Sequence, residues 1–189
     1  MPSRIGERAY ILQEEYRMLR KAVLTITIIV FFSLQCTLFK VLSLASVSPN
    51  LLLILTFAAG FMRGKKEGMY VGLFSGFILD VFFGKQLGFY SLLYMYIGYI
   101  NGIFNRVFYD EDVTLPIGLI CASDFLYNFV FYIFSFLIRN RLHLGYYLVH
   151  IMFPEMLYTV IVMLILYRPM LWVNHKIENK EKRGASRFD

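Results

Sequence analysis

Six apolar blocks, separated by short charged or glycine-bearing breaks, leave this chain few ways to fold. Residues 22–39 carry no charge before Lys40, and further apolar runs follow at 50–62, 68–83, 86–104, 113–138 and 144–167. Blocks of this length and number exceed what one soluble core of 189 residues requires, and they match the lengths of helices that cross a bilayer. With 58% hydrophobic residues and a mean hydropathy of +0.59, the chain falls among integral membrane proteins. The expected fold class is an all-α integral membrane protein, a bundle of six transmembrane helices.

Around that domain, 22–167, lie a cytoplasmic N-terminal segment, 1–21, and a basic cytoplasmic tail, 168–189. In the first, Tyr10, Ile11, Tyr16, Met18 and Leu19 recur at roughly helical spacing, which fits an interfacial helix or a solvated tail. Three glutamates precede the first block, and the block is longer than a usual signal-peptide core, so an uncleaved first span is expected. Pro49 suits the first turn of the second block. That block is short for a span and must be tilted or shielded. The run Arg63–Glu67 reads as a basic turn, and Gly84-Lys85-Gln86 as a tight connection that makes the third and fourth helices antiparallel neighbours. Pro116 stands near the start of the fifth block. Pro154 is expected to kink the sixth, and the tail beyond Arg168 to be disordered after a turn or two.

The net charge of +6 does not point to nucleic acid, because the basic residues cluster at block ends and in the tails. With the amino terminus inside and six spans, only Lys40, Lys85, Arg139 and Arg141 of the 19 Lys and Arg face outward. The positive-inside rule then puts both termini in the cytoplasm.

Gly68, Gly72 and Gly76 form a GxxxGxxxG face on the third helix, which permits close approach of a helix of the same chain or of a partner. Asp80, Asp124 and Glu155 are intramembrane carboxylates, and such groups are costly in lipid unless they face protein, water or a partner. For Asp80 the nearby glycine loop suggests a cap, or acceptance from the amides at the start of the fourth helix. Asp124 shares its face with Tyr127 and Asn128, and Glu155 lies near His150 on one helix, so a buried polar cluster competes with proton or substrate handling at both. Cys36 and Cys121 read as small apolar side chains. Gly72-Leu-Phe-Ser75-Gly76 lacks the spacing of a nucleophile turn, there is no HExxH, and the three histidines are scattered. No enzyme activity, cofactor or metal is expected.

Ser48-Pro49-Asn50-Leu51-Leu52-Leu53, Arg63-Gly64, the Gly68, Gly72 and Gly76 helix, Asp80-x3-Gly84-x2-Leu87-Gly88 and Tyr94 to Gly98-Tyr99 occur in that order. In this combination the chain resembles the rod shape-determining MreD family, across roughly residues 20–170. The resemblance implies a non-enzymatic component of the bacterial elongation machinery in the cytoplasmic membrane. It would bind MreC and help couple MreB filaments to the peptidoglycan polymerase RodA and its penicillin-binding transpeptidase partner. It also implies a six-helix arrangement like that of the S components of energy-coupling-factor vitamin transporters. An S component is therefore the alternative function, although the alanines spaced four apart that such proteins use for docking are missing from the first helix, where Ala22 is followed by Ile26 and Val30.

Overall fold

The computed structural model describes residues 18, 21–37, 48–84, 87–107, 113–139 and 144–185. The expectations for the rest of the N-terminal segment, Lys40, Lys85, Gln86, Arg141 and His143, and for the acidic break at residues 110–112, fall outside those residues. Among the described residues the chain is helical, with no strand. The helices are α1 (Lys21–Thr37), α2 (Leu51–Arg63), α3 (Lys65–Phe82), α4 (Phe89–Ile103) with a 3-10 turn at Phe104–Val107, and α5 (Thr114–Arg139). The sixth, α6, starts as an α turn at Leu144–Tyr147, passes through a π-helical stretch at Leu148–Met152, and continues as α-helix over Phe153–Ala185.

Helix α2 is the axis of the bundle. All its residues from Leu51 to Met62 are buried, and it packs against α3, α4, α5 and α6. A helix that is apolar on every side belongs in the interior, so this short block is shielded by its neighbours. Pro49 sits just ahead of the helix and Asn50 is the N-cap, its side chain accepting from the Leu53 amide. The expected five-residue basic turn is a single residue: Gly64, at φ +94°, separates α2 from α3. At that left-handed φ a side chain would be strained, while Lys65, Lys66 and Glu67 are good helix formers and extend α3 backwards.

Helices α3 and α4 form an antiparallel hairpin with almost no side-chain layer between them. A Cβ on Gly68 would overlap the Gly98 carbonyl oxygen, one on Gly72 that of Tyr94, and one on Gly76 that of Tyr90. The partner recedes by four residues for each four gained, so one register runs along three successive turns. The same seam draws in α2, where a Cβ on Gly60 would lie 2.5 Å from the Gly98 oxygen. Such proximity maximises van der Waals contact, the principal helix-pairing attraction available in lipid.

Two features of α6 depart from the sequence expectation. The irregularity associated with Pro154 lies ahead of it, in the π turn, where the Phe153 amide donates to the Leu148 carbonyl oxygen. Proline lacks an amide for the carbonyl four residues back and crowds it; a wider turn relieves that crowding. The helix also continues past Tyr167 and Pro169 to Ala185, so the stretch expected to be mostly disordered is helical nearly to the end. Lys, Glu and Arg make up most of residues 176–183 and have high helix propensity.

Helices α5 and α6 each contain a stretch long and apolar enough to cross a membrane, Thr114–Phe134 and Gly145–Lys176. Helix α3 carries Lys65, Lys66, Glu67 and Asp80, and α2 and α4 are shorter. On the outer walls large apolar side chains are exposed, among them Ile26 and Val30 of α1, Phe77 and Val81 of α3, and Leu157 and Ile165 of α6.

The seam yields a prediction with an internal control. Gly72→Ala should lower the thermal unfolding midpoint of the purified protein by an amount equivalent to about 1–3 kcal/mol, as overpacking does. Gly118 has nothing within 4 Å of an added Cβ, so Gly118→Ala should leave the midpoint unchanged or raise it slightly.

Candidate functional site

The polar residues of the bundle lie between the helices, and two groups of them meet the first turns of α2 and α4. A helix start has free backbone amides, and where water is excluded each needs a partner from the protein. At the start of α4 that partner is Asp80, which is 1% exposed. Its Oδ1 accepts from the Tyr90 amide at 2.9 Å and its Oδ2 from the Ser91 amide at 2.9 Å, and the Ser91 hydroxyl also donates to Oδ2. Gly88, at φ +99°, turns the chain into α4. The carboxylate is carried by α3 yet caps α4, so it fixes the hairpin lengthwise as well as satisfying the amides. Negative charge at a helix N-terminus is also favoured by the helix dipole.

At the start of α2 the partners are the N-cap Asn50 and residues from three other helices. Asn50 Oδ1 accepts from the Leu53 amide at 3.1 Å and from the Tyr94 hydroxyl of α4 at 2.8 Å. The Asn50 amide donates to Thr159 Oγ1 of α6 at 3.3 Å, and the Leu52 amide to Gln35 Oε1 of α1 at 2.9 Å. The opposite end of α2 is tied to α6, with Arg63 Nε donating to Asn174 Oδ1 at 2.7 Å and pairing with Glu67 at 3.4 Å.

The third group lies between α5 and α6. Asp124 is fully buried, as is Thr159, and Asn128 is 3% exposed. The Asn128 side chain donates to the Asp124 backbone carbonyl oxygen at 3.2 Å, and Glu155 lies within electrostatic range of Asp124. Tyr94 and Tyr147 lie within the range of both carboxylates. His150 does not join them; its ring stacks on Tyr146 at 4.2 Å between centroids, on an exposed face. Close by, an apolar cavity of about 480 Å³ opens between α5 and the π turn, lined by Cys121, Val149, Phe153, Pro154, Met156, Leu157 and Val160.

The residues singled out from the sequence thus occupy distinct places. Pro49 and Asn50 stand at the start of α2, Arg63 and Gly64 at its end, Gly68, Gly72 and Gly76 along the seam with α4, and Asp80 at the cap. Gly84 ends α3, its amide donating to the carbonyls of Leu79 and Asp80 at 2.9 and 3.1 Å. Leu87 is 80% exposed in the connection. Asp124 of α5 and Glu155 of α6 lie within electrostatic range of one another. Sequence reasoning did not find Gln35, Ser91, Thr159 or Asn174 as polar partners; the only signal was a lone amide or hydroxyl within an apolar run. Among the described residues no group of three or more His, Cys, Asp or Glu could hold a metal ion.

Asp80→Asn should show the cap's contribution, because an amide oxygen can accept on one side only and its NH2 then faces a backbone amide. The expected loss is about 1–3 kcal/mol, read as a lower unfolding midpoint, whereas Ser91→Ala, which keeps both amide contacts, should cost less than about 1.5 kcal/mol.

Comparison with curated proteins and with solved structures finds no significant match. A family model described as rod shape-determining protein MreD matches residues 15–176, a range that takes in all five helices from α1 to α5 and most of α6. The chain belongs to the MreD family of rod shape-determining membrane proteins.

Proposed function

We propose that this protein is a non-enzymatic scaffold of the bacterial cell-elongation machinery, binding MreC and helping to couple MreB filaments to peptidoglycan synthesis by RodA and its penicillin-binding transpeptidase partner. The observation that carries this reading is the family match over residues 15–176, since a role in shape determination belongs to that family. The chemistry of the interior agrees with it. Asp80, Asn50, Gln35 and Thr159 are engaged in holding helices to one another, as a scaffold requires.

In this proposal the protein sits in the cytoplasmic membrane with all six helices in the bilayer and both termini in the cytoplasm, arranged like the S components of energy-coupling-factor transporters. A buried α2, only about 20 Å long at 1.5 Å per residue, fits such a bundle because it need not face lipid. The basic ends would hold anionic lipid, each residue near the surface contributing about 1 kcal/mol. Lys176, 4.4 Å above the Trp172 ring, has the form of an interfacial anchor. The glycine seam is filled by α4, so partner helices would dock on exposed apolar faces such as Phe77 and Val81 of α3.

Affinity purification of a tagged copy from native membranes in mild detergent, with mass spectrometry of the retained proteins, tests this. The expected result is recovery of MreC and RodA-type proteins, reduced at least tenfold by Phe77→Glu combined with Val81→Glu at unchanged expression. Recovery of transporter ATPases and a coupling subunit in their place would overturn the proposal.

A further inference from the structure

Asp124 is the middle residue of the Thr114–Phe134 span, and it is fully buried with neither carboxylate oxygen hydrogen-bonded to any described residue. Asp80 and Glu67 differ: Asp80 meets two amides and Glu67 meets Arg63. Across the α5–α6 interface the ionisable group that acts on Glu155 is Asp124, so two carboxyl groups share one water-poor space. A buried carboxylate without a counter-charge is unstable by far more than a hydrogen bond can offset. Such a group must be neutralised, by taking up a proton or by holding a cation.

Among the described residues, no Lys, Arg or His acts electrostatically on either carboxylate. Among the described residues, the titratable groups within electrostatic range of one or both carboxylates are Tyr94 from α4, Cys121 and Tyr127 from α5 itself, and Tyr147 from the first turn of α6. All are neutral donors or acceptors. From α2, which packs on both α5 and α6, the one titratable residue is Arg63, at the far end and bonded to Asn174 and Glu67. His150 points to the exposed face with its Nδ1 by the Tyr146 carbonyl oxygen. Tyrosine hydroxyl oxygens and a side-chain amide oxygen are the kind of hard oxygen ligands that surround a small cation in a protein interior.

We propose that Asp124 and Glu155 form an intramembrane site for a small monovalent cation, a proton or a sodium ion, whose occupancy holds α5 against α6. Emptying the site leaves two carboxylates repelling one another across that interface, next to the π turn at Leu148–Met152. The inference stands apart from the scaffold proposal, because it concerns the interior of the chain and is tested without partners.

The test uses the full chain in nanodiscs of zwitterionic lipid. Its unfolding midpoint is followed in a sodium titration at fixed pH, with choline as the replacement ion, and in a pH series in choline alone. The expected result is a midpoint that rises with one of the two ions, sodium or proton, by roughly 3 °C per tenfold change. Asp124→Asn and Glu155→Gln should each flatten that dependence. Should one variant fail to fold, the other carries the comparison. Infrared spectroscopy of the intact protein separates the two ions, since a carbonyl band from a protonated carboxyl group marks the proton-filled site and its absence with a sodium response marks the sodium-filled one. A midpoint indifferent to both ions, or an undiminished response in both variants, would overturn the proposal.

Discussion

A helix that begins out of reach of water must have its first amides met by other parts of the protein, and that constraint organises this bundle. The start of α2 is buried, and so are the Asp80 carboxylate and Ser91 at the start of α4. Asp80 serves the start of α4 and Asn50, with Gln35, serves that of α2. Each solution links helices distant in sequence. Asp80 joins α3 to α4 across the connection, and the Asn50 group joins α1, α2, α4 and α6. Removing either would leave unpaired donors in a low-dielectric interior, where their cost is greatest.

The glycine seam depends on the same locks. Three glycines on α3 bring its backbone against α4, but a smooth, small-residue surface does not by itself fix how far one helix slides along the other. Asp80 does so, because its carboxylate reaches the Tyr90 and Ser91 amides in a single register. Close backbone packing supplies attraction and the cap supplies position. Helix α2, packed against both, then becomes the surface on which α5 and α6 assemble. The family's role in rod shape fits a molecule whose interior is committed to fixed geometry and whose apolar outer faces remain open.

Much of this was legible in the sequence, for identifiable reasons. Apolar blocks became helices because their boundaries are marked by Gly, Pro and charge, and the four-residue glycine period showed a packing face because its spacing equals about one helical turn. An acceptor role for Asp80 could be read from its place beside a glycine loop. The partners of Asn50 could not, since Gln35 and Thr159 lie 17 and 109 residues from the groups they bond. The single-residue joint at Gly64 was masked by charges that suggested a longer turn, although Lys and Glu favour helix. Likewise the apolar block ending at Tyr167 hid the true length of α6, which continues on helix propensity alone after hydropathy falls. Asp124 and Glu155, 31 residues apart, were each visible as costly groups, but their proximity belongs to tertiary structure.

Hydrogen exchange at the Tyr90 and Ser91 amides of the protein in nanodiscs tests the central claim most directly. Those amides stand in the first turn of α4, where no helical carbonyl is available to them. If Asp80 holds them, they will exchange as slowly as amides in the middle of the helix, and Asp80→Ala will release both to rapid exchange while the amides of α5 stay protected. Fast exchange in the unaltered protein, or protection that survives Asp80→Ala, would contradict the account.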